Sequence, residues 1–266
     1  ILEDQGIGYN KIYRIYKDND ENIWLGTDGA GAMVFNGFQF QKVVFNDIST
    51  HLFIMALDVG GSTKYFGTDG HGFIQFRSYR DYICFNTKNG LSNNQVNDLI
   101  VDKTGNVWIG TDNGLNCYDG KKITNYFMPD GLPSNHITSL LQDQKGRIWI
   151  GTFGQGISVW DGSSFICFAD TSGLSNNYIQ DIYQDRKGVI YLATNDGLTV
   201  FKNEKFYSYF EEDGLPGDKI WSITEDNYGY IWIAGDNICR FDGSVFNTIP
   251  AGKQKGRVER PFCVGG

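Results

Sequence analysis

The repeated unit of this chain is clearest in residues 131–152, which read GLPSNHITSLLQDQKGRIWIGT. The stretch ends in an aromatic-aliphatic-small-small motif, and five similar motifs occur elsewhere. The six anchors begin at Trp24, Tyr65, Trp108, Trp149, Tyr191 and Trp232. Their first residues are 41, 43, 41, 42 and 41 positions apart. Such regular spacing is the mark of a repeat architecture.

A second signal precedes the anchor. In five copies an aspartate stands six residues before it: Asp18, Asp102, Asp143, Asp185 and Asp226. Four of these five aspartates are followed by glycine in an Asp-x-x-Gly pattern between two apolar runs, which predicts a hairpin, because Asp accepts backbone N–H groups and Gly adopts positive φ. We expect these carboxylates to cap hairpins, since equivalent copies cannot all form one active site. The first copy has Glu21 at the glycine position, and the second is degenerate, with Asp58 one place early.

The flanking runs predict four short strands per repeat. An alternating run before the hairpin is strand A, the anchor is strand B, and strands C and D follow with a second hairpin between them. Four antiparallel strands in about 42 residues are one propeller blade. We therefore predict an all-β fold, a β-propeller of four-stranded antiparallel blades, over residues 1–250. Residues 251–266 are expected to be a linker or a closing strand. Six blades are predicted, with seven as the alternative if the two termini complete another.

Composition excludes several classes of protein. Gly is abundant, with 34 copies, and aromatic residues make up 15%, which excludes disorder and disfavours a helical protein. The net charge of −8 disfavours nucleic acid and anionic membranes as partners. No apolar run is long enough to span a membrane. Five cysteines without a CxxC motif and only three histidines make a zinc site unexpected, so we predict no metal and no cofactor. The first residues show neither a signal segment nor an initiating Met, which indicates a piece of a longer protein.

Residues 131–152 resemble the two-component regulator propeller repeat, and related copies begin at Gly90, Gly173 and, more weakly, Gly214. In that family the repeats form the extracytoplasmic sensor of membrane-bound histidine kinases, often hybrid ones, and members from gut bacteria sense oligosaccharides. The resemblance implies a ligand-sensing propeller on the periplasmic or extracellular side of a bacterial inner-membrane protein. Its expected partner is a small molecule or oligosaccharide, and the parent protein is expected to form a homodimer. Many members have two seven-bladed propellers, a Tyr-rich domain, a membrane span and a kinase. This chain shows six repeats and no kinase motif, so we do not expect it to be an enzyme.

The loops whose sequences vary from repeat to repeat indicate where a binding site lies. The D-to-A and B-to-C loops are expected on one face of the propeller, and these loops vary, whereas the hairpins of the other face carry repeated turn residues. Variable loops on a rigid scaffold are where binding concentrates. Amides, carboxylates and aromatic rings near strand A suit a sugar, which uses aromatic faces and hydrogen bonds. The candidate ligand-binding residues are Arg14, Asp98, His136, Tyr178, Asp181, Lys219 and Trp221.

Two other functions stay open at this point. One is a propeller lyase resembling the streptogramin lyases, which work with His, Glu and a divalent cation. Here only His136 is expected near the right face, and Asp98 with Asp181 would have to act as the carboxylate pair. The other is a propeller that serves only as a protein-docking or dimerisation surface.

Overall fold

The chain consists of short antiparallel sheets in sequence order. A computed structural model describes residues 11–18, 20–45, 48 and 52–249. These residues form six four-stranded antiparallel sheets, β1 to β24, each built from four consecutive strands. The fold is a six-bladed β-propeller, which confirms the all-β prediction with six blades. The segments proposed to complete a seventh blade, together with residues 251–266, lie outside the described residues.

The first compact unit lies within residues 1–126 and contains blades 1 to 3. In each blade the four strands A to D follow one another across the sheet. The strands are β1 (Ile12–Lys17), β2 (Ile23–Thr27), β3 (Ala32–Phe35) and β4 (Phe40–Lys42); β5 (Ile54–Gly60), β6 (Thr63–Thr68), β7 (Phe73–Ser78) and β8 (Asp81–Phe85); β9 (Val96–Val101), β10 (Val107–Thr111), β11 (Gly114–Tyr118) and β12 (Ile123–Tyr126).

The second compact unit lies within residues 127–264 and contains blades 4 to 6. Its strands are β13 (Ile137–Gln142), β14 (Ile148–Thr152), β15 (Ile157–Trp160) and β16 (Phe165–Phe168); β17 (Ile179–Gln184), β18 (Ile190–Thr194), β19 (Leu198–Lys202) and β20 (Lys205–Tyr209); β21 (Ser222–Glu225), β22 (Ile231–Ala234), β23 (Ile238–Phe241) and β24 (Phe246–Ile249). Every repeat anchor therefore lies in strand B of its blade.

The small residue of each anchor lets neighbouring blades approach. A Cβ added to Gly67 would lie 2.6 Å from Val96 Cγ1, and one added to Gly151 would lie 2.7 Å from Ile179 Cγ2. Both contacts are with strand A of the following blade. The anchor tryptophans also pack between blades: Trp149 meets Phe201 with ring centroids 5.2 Å apart. The prediction that the repeated aromatic residue packs between blades is thus confirmed at this position.

The repeated aspartate bonds to the anchor aromatic of its own blade. In blade 3, Asp102 accepts hydrogen bonds from the backbone N–H of Thr104 and Asn106 and from Trp108 Nε1, each at 2.9 Å. Burial raises the pKa of Asp102, but these bonds and those from the Thr104 and Asn106 side chains outweigh it and hold the pKa below its ordinary value. The equivalent pairs are Asp18–Trp24, Asp143–Trp149, Asp185–Tyr191 and Asp226–Trp232. The predicted role as a hairpin cap is confirmed.

Blade 2 departs from this pattern, as the sequence predicts. Asp58 lies on β5, and its half-buried carboxylate accepts the backbone N–H of Val101 in blade 3 at 2.7 Å. Burial raises the pKa of Asp58, and hydrogen bonds from Val101 and Val59 offset only part of that shift. The anchor of this blade, Tyr65, is bonded instead by Gln75 Nε2 at 3.3 Å.

Short 3₁₀ turns, which the sequence analysis treats as plain loops, connect strand D to strand A of the next blade. One spans Thr87–Asn89 and ends at Gly90, which has φ 110°. The leucine that follows the glycine is buried in all four such connections: Leu91, Leu132, Leu174 and Leu215. The Gly-Leu pair of the repeat therefore fixes the entry into strand A.

Candidate functional site

The D-to-A connections and the B-to-C loops lie together in both units, and we call this surface the loop face. In unit 1 the backbone N–H groups of Gly70 and Gly72 donate to Asn94 O at 3.2 and 2.8 Å. In unit 2 Gly156 N donates to Asn177 O at 2.9 Å. Each B-to-C loop is thus held by the connection that leads into the next blade. The expected grouping of these loops on one face is observed within each unit.

Strand A carries a β-bulge at its second residue in blades 1 to 5. In three of these blades the bulged side chain reaches the first residue of its own B-to-C loop, fifteen positions later. The bonds are Tyr13 to Asp28 at 3.5 Å, Asn97 to Asp112 at 2.8 Å and Gln180 to Asn195 at 2.8 Å. Each of these bonds ties strand A to the B-to-C loop of its own blade.

Blade 2 has the apolar Met55 at this register, and blade 4 departs from the pattern in another way. Its bulged residue is Thr138, whose Oγ1 is buried without a hydrogen-bond partner. The B-to-C loop begins with Phe153, where four of the other five loops begin with Asp and one with Asn. Blade 4 therefore presents an aromatic side chain at a point where the other blades present a polar one.

Two of the sequence-predicted candidates meet in unit 1. Arg14 on β1 and Asp98 on β9 form an ion pair, with an N–O distance of 3.6 Å and side chains 29% and 14% exposed. Asp98 Oδ1 also accepts the backbone N–H of Leu99 at 3.0 Å. The pair joins the first strands of blades 1 and 3, so the two charges partly compensate each other.

Asp181 joins two blades of unit 2. One of its carboxylate oxygens accepts Ser222 Oγ at 3.0 Å and the backbone N–H of Ile223 at 2.9 Å, and the other accepts the N–H of Ile182 at 2.9 Å. Three donors already use this carboxylate. The geometry therefore supports a structural role for Asp181 between blades 5 and 6.

Lys219 and Trp221 lie next to each other in blade 6. The Lys219 ammonium group lies over the Trp221 ring, 4.0 Å from its centroid, in a cation–π contact. Both side chains are half-buried. They form a local pair just before β21.

His136 and Tyr178 belong to an aromatic cluster that Phe153 completes. The His136 and Phe153 rings stack with centroids 4.9 Å apart and an interplanar angle of 20°. Phe153 and Tyr178 meet edge to face at 4.8 Å and 89°. Gly154 permits this approach, because a Cβ there would lie 3.1 Å from the Tyr178 ring. We call these three residues the aromatic triad.

The aromatic triad is open to solvent despite its internal contacts. Phe153 is 50% exposed and Tyr178 39% exposed. The triad draws on two blades, since Tyr178 precedes β17 of blade 5. His136 and Tyr178 are among the sequence-predicted candidates, whereas Phe153 is not. The signal that identifies it is the aromatic residue at a loop position that is Asp or Asn in every other blade.

Comparison with known families matches the repeat pattern directly. Five segments match the family model described as "Two component regulator propeller", at residues 6–29, 90–113, 131–154, 173–196 and 214–237. These five segments are similar to the two component regulator propeller repeat. Blade 2, the copy interpreted as degenerate, has no match of its own. The resemblance stated from the sequence is confirmed for these repeats.

Solved structures similar to this propeller include extracellular domains of two component systems. The extracellular domain of BT3049, described as a hybrid two component system of B. thetaiotaomicron, is 27% identical, with a TM-score of 0.79 and coverage of 91% of this chain and 34% of that one. A second such domain, BT4673 of the same organism, is 20% identical, with a TM-score of 0.56 and coverage of 86% and 37%. The chain thus spans about a third of the length of these structures.

A more distant likeness concerns the fold alone. Virginiamycin B lyase from Staphylococcus aureus is 11% identical, with a TM-score of 0.75 and coverage of 92% of this chain and 85% of that one. A comparison with curated protein sequences gave no match. No helix in the described part of the propeller is long and apolar enough to cross a membrane. Within the same residues, no three His, Cys, Asp or Glu side chains converge as metal ligands would.

Proposed function

We propose that this propeller is the ligand-binding part of a two-component sensor and that its ligand is an oligosaccharide. The supporting observation is the aromatic triad: exposed rings on the loop face, with Phe153 at a loop position that is Asp or Asn in the other blades. The propeller carries the regulator repeat and is similar to an extracellular domain of a hybrid two component system. We propose accordingly that it lies on the periplasmic or extracellular side of the membrane, with a histidine kinase elsewhere in the parent protein.

The triad suits a sugar ring for physical reasons. The C–H face of a sugar packs against an aromatic face, and such contacts bury apolar area without requiring a charge. Phe153 and Tyr178 meet edge to face, which presents two surfaces at nearly a right angle. Polar groups nearby, on Gln180 and Asn195, are bonded to each other and bring an amide pair to the same register. A rigid aromatic platform with amides beside it is typical of a site for a neutral saccharide.

The lyase alternative finds less support in the geometry. Asp98 is ion-paired with Arg14, and Asp181 accepts three hydrogen bonds. His136 stacks on Phe153. The acid–base groups that a lyase would need are engaged in structural contacts, so we retain binding as the proposed function. Dimerisation through the parent protein stays a prediction, which sedimentation at several concentrations tests.

A calorimetric screen tests the oligosaccharide proposal. A panel of neutral oligosaccharides is titrated into the wild-type propeller, and any that binds is titrated into Phe153→Ala and Tyr178→Ala. We expect each variant to weaken binding by about tenfold, as loss of one stacking ring does. Tyr228→Ala is the matched control, because Tyr228 is 88% exposed but lies in the A–B hairpin of blade 6. Binding that is unchanged in both triad variants, or equally weakened in the control, contradicts the proposal.

A further inference from the structure

A cleft of ≈ 390 Å³ opens on the other end of the strands in unit 2, between blades 4 and 5. We call the surface formed by the A–B and C–D hairpins the hairpin face. The cleft is lined by the A–B hairpin of blade 4 and by the A–B and C–D hairpins of blade 5. Its volume lies in the range of small-molecule sites. It is separate from the aromatic triad, which belongs to the loop face.

The cleft has an excess of positive charge, although the whole chain is negatively charged. Four cationic and two anionic side chains line it, whereas the whole chain has a net charge of −8. Arg147 Nε is paired with Asp143 at 2.7 Å, and Lys145 with Glu204 at 3.2 Å. Lys187 and Lys202 are left without an acidic partner among the described residues. A local excess of positive charge of this kind attracts an anion.

The walls of the cleft are fixed in place. Gln144 N donates to Gln184 Oε1 at 2.8 Å, and the Gln144 side-chain amide reaches Asp185 O at 3.4 Å. These bonds tie the A–B hairpin of blade 4 to that of blade 5. The site therefore exists before any ligand arrives, which lowers the entropic cost of binding.

One side of the cleft is apolar. Phe201 lines it while its ring packs on Trp149 and, 4.8 Å away, on Phe206. Val189 and Ile190 line the cleft beside it. The combination of unpaired ammonium groups and a fixed aromatic side chain favours a ligand that has both a carboxylate and a C–H face.

An ion pair bridges the cleft from one blade to the next. Lys145 belongs to the A–B hairpin of blade 4, and Glu204 to the C–D turn of blade 5. That turn places Asn203 and Glu204 at φ 52° and 60°, the left-handed pair of a type I′ hairpin. Glu204 therefore presents its carboxylate to Lys145 from a fixed turn, where a ligand carboxylate would compete for the same ammonium group.

We propose that this cleft binds a sugar acid. The ligand carboxylate is held by Lys187 and Lys202, its ring lies against Phe201, and Lys145 exchanges Glu204 for the ligand. This is a second site on the hairpin face and does not depend on the oligosaccharide proposed for the loop face. Because the ligand competes with Glu204, removal of that carboxylate is expected to strengthen binding.

Titration of the whole chain with three probes tests the assignment. Galacturonate has a charge and a ring, galactose has the ring alone, and sodium sulfate has the charge alone. We expect galacturonate to bind measurably more tightly than sulfate, galactose not to bind, and the affinity to fall with added salt. Sulfate binding as tightly as galacturonate, or galactose binding equally well, overturns the proposal, as does no galacturonate binding.

Substitutions of the cationic and the anionic residues of the cleft are expected to change galacturonate affinity in opposite directions. Lys187→Ala and Lys202→Ala are expected to weaken galacturonate binding about five- to tenfold, as loss of a charged hydrogen-bond donor does. Glu204→Gln is expected to strengthen it about threefold by freeing Lys145. Lys205→Ala is the control, since Lys205 is exposed on the same hairpin but does not line the cleft. Equal effects of Lys205→Ala and Lys202→Ala, or weaker binding in Glu204→Gln, contradict the site. Phe153→Ala and Tyr178→Ala are expected to leave galacturonate binding unchanged, which distinguishes this proposal from the loop-face one.

Discussion

Blades 2 and 3 use an aspartate at or near the end of strand A in two opposite ways. In blade 3, Asp102 stays within its own blade, capping a hairpin and bonding Trp108, and its pKa is lowered. In blade 2, Asp58 bonds the backbone of the next blade from a half-buried position, and its pKa is raised. A shift of a single position moves the carboxylate from a site that favours its charged form to one that disfavours it. What both blades keep is the glycine of strand B.

The largest effect is expected at that shared glycine. Gly67→Val places a branched side chain where even a Cβ lies 2.6 Å from Val96 Cγ1 and 3.0 Å from Ala56 Cβ. We expect the free energy of unfolding to fall by about 3 kcal/mol, measured by urea denaturation. Gly67→Ala is expected to cost less. Equal losses for the two variants would show that the contact with blade 3 does not limit side-chain size.

Loss of the blade 3 cap comes next. Asp102→Ala leaves the Trp108 indole N–H and two backbone N–H groups without their acceptor, which costs about 2 kcal/mol of the free energy of unfolding. Asp119→Ala is the control, because Asp119 caps an exposed C–D turn through the N–H groups of Lys121 and Lys122. A loss no greater than in the control contradicts the importance of the bond to the anchor.

In blade 2, substitution of the aspartate is expected to stabilise the protein rather than to destabilise it. Asp58→Asn removes a half-buried charge and keeps an oxygen that can accept the Val101 N–H, while its NH2 group replaces the oxygen that accepts the Val59 N–H. We therefore expect the free energy of unfolding at pH 7 to rise by less than about 1 kcal/mol. Chemical denaturation of the variant beside Asp102→Asn checks this. If both asparagine variants are destabilised alike, the two aspartates do not differ as described.

The same contrast predicts two pH dependences. The ordinary value is 3.8 for both carboxyls. The lowered pKa of Asp102 gives stability that is present above 3.8 and is lost as pH falls through the folded-state pKa. The raised pKa of Asp58 gives stability that is present below 3.8 and is lost as pH rises through the folded-state pKa. Unfolding curves of wild type and the two asparagine variants between pH 3 and pH 7 would show both gaps widest at pH 7 and closing towards pH 3, with opposite signs: wild type is the more stable protein beside Asp102→Asn and the less stable beside Asp58→Asn. Gaps independent of pH would contradict both assignments.

The smallest effect on stability is expected on the loop face. Tyr178→Ala removes a side chain that is 39% exposed and takes no part in the hydrogen bonds between the capping aspartates and the anchors. The free energy of unfolding should therefore change by less than about 1 kcal/mol. The variant is measured in the same urea titration as Asp102→Ala. A loss comparable with that of Asp102→Ala would mean that the aromatic triad is structural.

The fold could be predicted from the sequence because the same residue types pack in the same way in each blade. The Trp149 anchor and the small residue Gly151 recur at one period in all six blades, and the capping Asp143 recurs in five, which leaves little freedom. The degenerate copy could be recognised too, although the bond from Asp58 to blade 3 could not. That bond depends on a residue one repeat later, which a pattern read within a single repeat does not reveal.

The site was less predictable for a related reason. The sequence predicts Asp181 to be a ligand-binding residue because it is polar and lies near the start of strand A. Its partner Ser222 lies 41 positions later, one full repeat along the chain. Phe153 was overlooked because aromatic residues elsewhere in the sequence serve packing. Comparison of the same register between blades, rather than of residue types within one blade, separates the two roles.

The joints between B-to-C loops and D-to-A connections have a consequence for how such propellers diversify. Gly156 donates to Asn177 and Gly197 to Asp218 through main-chain atoms only. The attachment of one blade to the next on that face therefore makes no demand on the identity of most side chains around it. Evolution can replace Phe153 or Tyr178 with residues that recognise another compound while the joint keeps its geometry. A single scaffold can in this way acquire new specificities by point substitution, without insertions and without rebuilding a blade.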